Sequence, residues 1–274
     1  MLGSRMPQDF TAPVLSNLDL GHGNFLLEFA APGVAATTEP GQFFMVGFPH
    51  ADVLLRRPFS VCGLPGTFDE SGPDRLQLLY KVVGAGTEIL SALEEGAPLH
   101  VLGPLGRGFS LPQEPQARPV FVAGGIGSAP FPALARSLRP LGFAPRMLYG
   151  ARSASDLPLL DWFRKRCCDV VVTTDDGSLG RKGLVTAALA DLLATGARNI
   201  LLYACGPEPM LKQVARMALA ARVPCELSLE AHMACGFGVC LGCVVPTRAG
   251  GSGDGGYERV CVEGPVMRAE NLAW

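Results

Sequence analysis

The stretch PVFVAGGIGSAPFPALARSL, residues 119–138, decides the fold of this chain. It predicts a buried strand (119–125), a glycine-rich turn and a helix (129–138). The same unit then recurs, with predicted strands at 146–151, 169–174, 199–206 and 225–230 and predicted helices at 157–166, 183–194 and 209–221. Strands and helices that alternate over this length indicate a parallel α/β sheet.

The residues before this unit have a different rhythm. Short β-type runs are separated by glycine and proline turns, at 24–30, 42–48, 58–63, 75–83 and 98–103. A single helix is predicted at 87–95, with Thr87 at its N-terminus. This pattern is typical of an antiparallel β-barrel or sandwich. We therefore expect an antiparallel barrel of Greek-key type over 1–112, a parallel α/β domain over 113–224 and a small segment over 225–274.

The last segment contains four cysteines in a distinctive spacing. Cys235-x4-Cys240-x2-Cys243 is followed by 17 residues and then Cys261, which is the plant-type [2Fe–2S] ligand pattern. Each iron of such a cluster takes two thiolates, and the intervening glycines let one loop fold around it. A structural zinc ion or four unrelated core cysteines are the alternatives, although zinc sites more often show two C-x2-C pairs.

The composition excludes several classes of protein. The 274 residues are 48% hydrophobic and 18% charged, with a net charge of −2, which argues against a disordered chain and against nucleic-acid binding. The longest charge-free stretch, between Arg118 and Arg136, is broken by prolines and glycines and is a poor membrane span. The start MLGSRMPQDF lacks a signal-type apolar core, and nine cysteines do not suggest a disulfide framework. We expect a soluble, cytoplasmic protein.

Two motifs in the barrel suggest a flavin site. Arg57-Pro58-Phe59-Ser60 follows the second predicted strand, and Gly84-Ala85-Gly86-Thr87 precedes the predicted helix. The glycine turn and its amides can receive a pyrophosphate, to which an arginine adds a charge-assisted fork. Ser60 would hydrogen-bond the flavin ring. An ordinary surface arginine and a plain strand end are the alternatives.

The α/β part carries two candidate nucleotide loops, at the carboxyl ends of strands, where ligands bind in open α/β sheets. Gly124-Gly125-Ile126-Gly127-Ser128-Ala129-Pro130 has the form G-x-G-x-x-P, and Cys205-Gly206-Pro207 ends a later strand. A plain turn and a buried core cysteine are the alternatives. Four further residues are undecided: Asp175 and Asp176 touch a ribose or only build a turn, Arg152 meets a 2′-phosphate if NADP binds, and His232 tunes the cluster or caps its loop.

Together these motifs resemble the ferredoxin–NADP reductase superfamily. Within it, the chain is similar to the electron transfer subunits of class 1B (NAD-dependent) dihydroorotate dehydrogenases over nearly its whole length. The stretches that carry the resemblance are RRPFSV (56–61), GPLGRGF (103–109), TDDGS (174–178), YACGPEPML (203–211), SLEAHMACGFGVCLGC (228–243) and VCVEGPV (260–266).

The resemblance implies three ligands and the residues that bind them. It implies FAD on Arg57, Pro58, Phe59, Ser60, Leu79, Tyr80, Lys81, Gly86 and Thr87. It implies NAD, as a soluble co-substrate, beside Gly125, Gly127, Cys205 and Gly206. It implies a [2Fe–2S] cluster on Cys235, Cys240, Cys243 and Cys261. Phe59 stands where many superfamily members have a tyrosine.

The resemblance also implies a partner. This is an FMN-bearing catalytic subunit that oxidises dihydroorotate in pyrimidine (UMP) biosynthesis, in a heterotetramer with two subunits of each kind. Electrons would pass from the FMN of the partner through the cluster and FAD to NAD⁺. The chemistry agrees, because a chain with a flavin and a cluster adapts two-electron to one-electron transfer and leaves no room for a separate substrate barrel. The alternatives are a subunit of a hydrogenase or a ferredoxin-dependent transhydrogenase, and a non-redox zinc-stabilised binding module.

Overall fold

A computed structural model describes residues 6–48, 53–68, 72–248 and 256–274. The described residues form a closed barrel, a seven-stranded sheet and a two-stranded hairpin. The predicted fold class, an antiparallel barrel followed by an α/β domain and a small C-terminal segment, is confirmed.

The barrel consists of six antiparallel strands in the order β1-β2-β5-β4-β3-β6. Their bounds are β1 Gln8–Gly21, β2 Asn24–Ala30, β3 Phe43–Gly47, β4 Arg57–Gly63, β5 Arg75–Lys81 and β6 Pro98–Leu105. Helix α1 (Ala85–Ser91) connects β5 to β6. Because β1 pairs with both β2 and β6, it closes the sheet on itself.

The second sheet has the order β10-β9-β8-β7-β11-β12-β15. Its strands are β7 Arg118–Gly124, β8 Arg146–Ala151, β9 Asp169–Thr174, β10 Arg181–Lys182, β11 Ile200–Cys205, β12 Cys225–Ser228 and β15 Val266–Arg268. Its helices are α2 Phe131–Leu138, α3 Leu160–Arg166, α4 Val185–Ala194 and α5 Glu208–Ala221. The pairs from β10 to β12 are parallel, as predicted, and β15 adds an antiparallel edge.

Several helices differ from their predicted bounds: α1 spans Ala85–Ser91 rather than 87–95, α3 begins at Leu160 rather than 157, and α4 begins at Val185 rather than 183. The start of α2 has a clear physical reason. Residues Gly125–Ser128 form a short 3-10 turn, and α2 starts at Phe131 rather than at residue 129. Pro130 and Pro132 explain the delay, since proline has no N–H to donate and is tolerated only in the first turn of a helix. The glycine loop therefore leaves β7 as a tight turn of its own.

The C-terminal segment is joined to the rest of the molecule by strands and by core packing. Strands β13 (Val244–Thr247) and β14 (Gly256–Arg259) pair as a hairpin. The glycine-rich tip that connects them, residues 249–255, lies outside the described residues. Strand β15 then pairs with β12. The domain bounds at 112 and 224 stay predictions.

A single buried cluster connects all three parts. It contains Met45 and Leu105 from the barrel, Leu227 from the sheet, and Cys243 and Cys261 from the C-terminal segment. Each fully buried aliphatic side chain of this kind contributes about 1.5–3 kcal/mol relative to exposure. The cysteine segment is therefore held against both the barrel and the sheet. No helix among the described residues is long and apolar enough to cross a membrane.

Candidate functional site

The first cysteine pair lies at the surface of the molecule. The sulfurs of Cys235 and Cys240 are 3.4 Å apart, and the backbone N–H of Cys240 points at the Cys235 sulfur from 3.5 Å. The backbone N–H of Gly242 points at the Cys240 sulfur at the same distance. Cys240 is exposed and Cys235 is half-buried. The loop thus offers two thiols already surrounded by N–H donors, which stabilise sulfur carrying negative charge.

The second pair, Cys243 and Cys261, is buried beneath the first. Strand pairing brings these two together, because Val244 pairs with Arg259 and the N–H of Val260 donates to the carbonyl of Cys243 at 3.0 Å. Two ligands separated by 17 residues in sequence are therefore neighbours in space. The predicted ligands Cys235, Cys240, Cys243 and Cys261 are all brought to one loop and the turn beside it.

The arrangement of two pairs fits a diiron cluster better than one zinc ion. Each iron of a [2Fe–2S] cluster takes two thiolates, whereas a zinc ion needs four ligands around a single point. The donor set, four thiols in two pairs with amide donors, therefore suits the cluster predicted from the spacing.

Cys235 and Cys261, one thiol from each pair, differ in how readily they ionise. Burial opposes ionisation of Cys235, but the backbone N–H groups of Cys240, Phe237 and Val239 outweigh it and lower the pKa of its thiol to about 6. Burial, together with the neighbouring thiol of Cys243, raises the pKa of Cys261 to about 12. Cys235 therefore supplies a thiolate at neutral pH, whereas the thiol of Cys261 resists ionisation in its buried position.

Gly236 fits the cysteine loop against the barrel. Its φ is +80°, and a Cβ built on it would lie 2.4 Å from Cγ of Met45 and 3.3 Å from Leu105. Glycine is required here because other residues rarely adopt this backbone and would overlap β3. The loop consequently lies in direct contact with the barrel.

Exposed apolar side chains lie on the cysteine loop and on the hairpin that follows it. On the loop these are Phe237, Val239 and Leu241, which are 53%, 73% and 60% exposed, and on the hairpin they are Val244 and Tyr257. A concentration of exposed apolar side chains around one loop is typical of a surface that meets another protein. We call these five residues the apolar rim.

A cleft of about 570 Å³ lies between the barrel and the carboxyl ends of the sheet strands. Asn24, Lys81 and Val83 line it from the barrel side. From the sheet side it is lined by Gly124, Gly125, Gly150, Arg152, Asp156, Asp175, Pro207 and Met210, among others. This is the position at which open α/β sheets bind nucleotides, and the volume is that of a small-molecule pocket.

The two predicted nucleotide loops meet at the floor of this cleft. A Cβ built on Gly127 would lie 2.5 Å from the carbonyl oxygen of Cys205 and 2.6 Å from Gly206. Gly125 lines the cleft, whereas Cys205 is buried and burial raises the pKa of its thiol. Gly127, Cys205 and Gly206 therefore form what we call the floor, next to the lining residues Gly125 and Pro207, and are not themselves among the residues that line the cleft.

The predicted flavin residues lie on strand β4, on strand β5 and at the start of helix α1. Arg57 is exposed and lies beside Gly86, on which a Cβ would be 3.6 Å from Cγ of Arg57. The Thr87 hydroxyl accepts the N–H groups of Val83 and Gly84, at 2.8 and 3.2 Å, and donates to the Gly84 carbonyl. The turn before α1 is thereby fixed next to an arginine, an arrangement that suits a pyrophosphate.

The β5 residues point in different directions. Leu79 and Tyr80 are buried, and the Tyr80 hydroxyl donates to the side-chain oxygen of Asn17 at 3.0 Å. Phe59 packs edge-on against the Tyr80 ring with centroids 5.9 Å apart. Pro58 and Ser60 are half-buried on the same strand as Phe59. Of the three β5 residues, Lys81 is the one that lines the cleft.

Sequence reasoning missed Asp156, which forms an ion pair with Lys81 across the cleft. The Lys81 ammonium donates a short hydrogen bond to the Asp156 carboxylate, and Ser153 also donates to it at 3.2 Å. The hydrogen bond from Lys81 is the main cause that lowers the pKa of Asp156. No local sequence signal marks this pair, because its members are 75 residues apart.

The structure separates the two adjacent aspartates. Asp175 lines the cleft, as does Arg152. The Asp176 carboxylate instead accepts the N–H and the hydroxyl of Ser178, at 2.9 and 2.6 Å, and these bonds lower its pKa. Turn formation therefore explains Asp176, while Asp175 is placed to meet a ligand. His232 is exposed just before the cysteine loop.

Comparisons with known proteins agree with this geometry. The family model described as the iron-sulfur cluster binding domain of dihydroorotate dehydrogenase B matches residues 230–273, and that of the oxidoreductase NAD-binding domain matches residues 121–216. A dihydroorotate dehydrogenase B (NAD(+)) electron transfer subunit from Desulforamulus reducens is 38% identical over 271 residues, covering 98% of this chain and 100% of that relative. This chain belongs to that family.

Other relatives extend the same result. An electron transfer subunit homolog from Aquifex aeolicus is 36% identical, with 97% of this chain and 99% of that relative covered. A solved structure described as an NADH-dependent reduced ferredoxin-NADP oxidoreductase, studied for flavin-based electron bifurcation, superposes with a TM-score of 0.81 at 29% identity. That match covers 100% of this chain and 92% of the other.

The predicted family, reaction class and cofactor set of FAD, [2Fe–2S] and NAD are confirmed for this chain. A ferredoxin reductase of carbazole 1,9a-dioxygenase, with a TM-score of 0.68 at 22% identity, covers 81% of this chain and 68% of that structure and shows the shared fold alone. The individual residues predicted to bind each cofactor stay predictions.

Proposed function

We propose that this chain passes electrons from the FMN of a dihydroorotate dehydrogenase catalytic subunit, through a cluster and FAD held by its own residues, to NAD⁺. A flavin exchanges two electrons with a nicotinamide as hydride but also single electrons, which is all that an iron–sulfur cluster accepts at a time. In this proposal the chain has the task of binding and positioning, and the organic substrate is oxidised on the partner.

The observation that carries the proposal is the placement of the four thiols. The outer pair consists of the exposed Cys240 and the half-buried Cys235, the inner pair is buried, and Gly236, which follows Cys235, would bring the loop against the barrel. A group held by these thiols would have one side towards a docked partner and the other towards the interior. This is the placement that a relay between two proteins requires.

For FAD, the proposed contacts follow from the two barrel motifs. Arg57 would hold the pyrophosphate with the turn at Gly86 and Thr87. The strand residues Pro58, Phe59 and Ser60 would flank the ring, together with Leu79, Tyr80 and Lys81. Because the Leu79 and Tyr80 side chains are buried, their part of the contact would come from the backbone.

For NAD, the proposed contacts come from the cleft. Gly125 would let the dinucleotide approach the backbone after β7, and Gly127, Cys205 and Gly206 would keep the floor open. Asp175 would accept from ribose hydroxyls, which favours NAD over NADP because a 2′-phosphate would meet a carboxylate. Arg152, on the same side of the cleft, is the residue that a 2′-phosphate would otherwise use.

The partner would dock on the apolar rim, in a heterotetramer with two subunits of each kind. The cytoplasm is the proposed compartment, because none of the nine cysteines forms a disulfide and reduced cysteines persist in reducing compartments.

The test is reconstitution of the complex. The chain would be co-expressed with a class 1B catalytic subunit, and the purified complex assayed for dihydroorotate-dependent reduction of NAD⁺. We expect a stable complex with equal numbers of both subunits, FAD, two irons per copy of this chain, and NAD⁺ reduction that stops when this chain is omitted. A colourless, zinc-containing protein that leaves the catalytic subunit unchanged would refute the proposal.

A second candidate function is a subunit of a ferredoxin-dependent transhydrogenase. The observation in its favour is the structural match to the NADH-dependent reduced ferredoxin-NADP oxidoreductase. Reconstitution distinguishes the two functions, since this alternative requires NADH oxidation to depend on ferredoxin and on a different flavoprotein partner. Activity with the dihydroorotate-oxidising partner alone would exclude it.

A further inference from the structure

Arg259 forms a two-pronged ion pair with Glu263 next to the inner cysteine pair. Its guanidinium donates to the two carboxylate oxygens of Glu263, at 2.5 and 3.1 Å, and its backbone N–H donates to the same carboxylate at 2.8 Å. Bidentate pairs of this kind fix both partners in direction as well as in distance. Arg259 lies outside the sequence motifs, and Glu263 falls within the stretch 260–266 without a role assigned to it.

This pair closes the turn that carries Cys261. The N–H groups of Val262 and Glu263 both donate to the Arg259 carbonyl, at 3.0 and 2.9 Å. Cys261 lies at the centre of that turn. The ion pair joins its two ends, so that the position of the fourth thiol depends on it.

The same guanidinium also reaches the loop that carries the other three thiols. Its third nitrogen donates to the carbonyl of Gly238 at 3.3 Å. Gly238 has a φ of +88°, and a Cβ built on it would lie 2.9 Å from that nitrogen and 2.7 Å from Val262. One side chain therefore connects two segments that are 21 residues apart in sequence.

The guanidinium is also the positive charge beside the inner pair. Arg259 pairs with Val244 across the hairpin, next to Cys243, and lies two residues before Cys261. Glu263 places a negative charge at the far side of the guanidinium. The inner pair thus has one positive and one negative side chain beside it, and each charge can be removed by its own substitution.

We propose that Arg259 and Glu263 are positioning residues for the [2Fe–2S] cluster, which hold Cys261 in register with the cysteine loop and tune the reduction potential of the cluster. The proposal rests on the proposed function, in that the four cysteines are taken as the ligands. Reduction adds one negative charge to the cluster, so a neighbouring cation favours the reduced form and a neighbouring anion opposes it.

The test compares the full chain with four variants: E263Q, R259Q, R259K and R268Q. Reduction potentials are measured by titration followed through the paramagnetic signal of the reduced cluster, and iron per chain is measured alongside. Arg268, the last residue of β15, is the matched control, because it forms an exposed ion pair with Glu270.

We expect opposite signs from the two ends of the pair. E263Q removes the anion and raises the potential, whereas R259Q removes the cation and lowers it. R259K keeps the charge but loses the fork, so its potential stays nearer to that of the wild type while its iron per chain falls severalfold. R268Q changes neither quantity.

Potentials equal to that of the wild type in both E263Q and R259Q, or shifts of the same sign, would overturn the proposal. If R259Q retains no iron, that loss supports the positioning role, and the direction of the shift in reduction potential is then tested with E263Q alone. A wild-type chain without iron refutes the four-cysteine assignment itself, and so marks a failure of the proposed function rather than of the Arg259 role alone.

Discussion

The cysteine segment and the nucleotide cleft bind their ligands in contrasting ways. Three of the four thiols come from nine consecutive residues, 235–243, and the fourth from an adjoining turn. The cleft is assembled from the ends of several strands and from the barrel, with Asn24 and Met210 both in its lining. One site is local in sequence, and the other exists only once the two sheets have packed together.

This difference predicts how each region responds to substitution. Under the proposed assignment each thiol of the cysteine segment would supply one of the bonds to metal, so the loss of one ligand would be severe. In the cleft, the proposed binding is divided among backbone amides, glycine contacts and a few charges, so single changes would have graded effects.

The largest effect is expected from a cysteine ligand. C243S should strip iron from the chain and lower the NADH-linked turnover of the assembled complex by more than about 100-fold. Substitution of residues that only hydrogen-bond to metal ligands already costs about 10–100-fold, and the loss of a ligand should cost more. C168S is the control, since Cys168 is an exposed cysteine outside the segment. Iron content and turnover equal to those of the wild type in C243S would contradict the assignment.

In the cleft, the sharpest change is expected from Gly127. An added methyl group would overlap the carbonyl of Cys205, so G127A should force the two loops apart at a cost of about 1–3 kcal/mol. We expect KM for NADH to rise about tenfold, with bound FAD retained, in an assay with an artificial electron acceptor.

Gly72 provides the matched control for this change. A Cβ built there meets nothing within 4 Å, and G72A should leave KM unchanged. An unaltered KM in G127A, with FAD still bound, would mean that the floor of the cleft does not contact NADH.

A smaller effect is expected from the charge of Asp175. D175N removes the carboxylate that a 2′-phosphate would meet, so kcat/KM for NADPH relative to NADH should rise about tenfold, equivalent to roughly 1.4 kcal/mol. D176N is a control in the neighbouring position, because its side chain is engaged by Ser178. Equal selectivity in both variants would remove Asp175 from the specificity determinants.

The smallest effect is expected from the ion pair of Lys81 and Asp156. It is partly exposed, so D156N should cost only about 0.5–1 kcal/mol, or lower Tm by roughly 1–4 °C at neutral pH. Since the folded-state pKa of Asp156 is lowered, its contribution is present above the ordinary aspartate pKa and is lost as pH falls through the lowered value.

Melting curves of wild type and D156N across that range test the sign. The two Tm values should differ at pH 7 and converge in acid. A difference that grows on acidification would exclude the ion pair as its origin.

The sequence predicted the local features well and missed those that depend on tertiary packing, which is the same contrast as between the cysteine segment and the cleft. The strand–helix alternation and the cysteine spacing are local patterns, and each led to the observed element or grouping. Strand β1 was missed, although it closes the barrel, because Ala12 and Val14 are the only fully buried positions in its 14 residues. Strand β15 was missed because three residues carry too little pattern.

Contacts between distant residues were beyond sequence reasoning for a physical reason. Lys81 and Asp156 meet only because the barrel packs on the sheet, and neither neighbourhood encodes the other. Arg259 and Glu263 have a spacing that usually suggests a helix, yet here they close a turn. The sequence indicates which residue types could bind a ligand, but tertiary packing determines which side chains they contact.

The exposure of Cys240 has a consequence for the lifetime of the subunit by itself. Oxidants and chelators that cannot reach the inner thiols have direct access to this outermost sulfur. A subunit without its companion would therefore lose metal from the outside inwards, while one covered by a neighbour would be shielded at its most vulnerable atom. Balanced production of the two proteins would in this way preserve the metal as well as the activity.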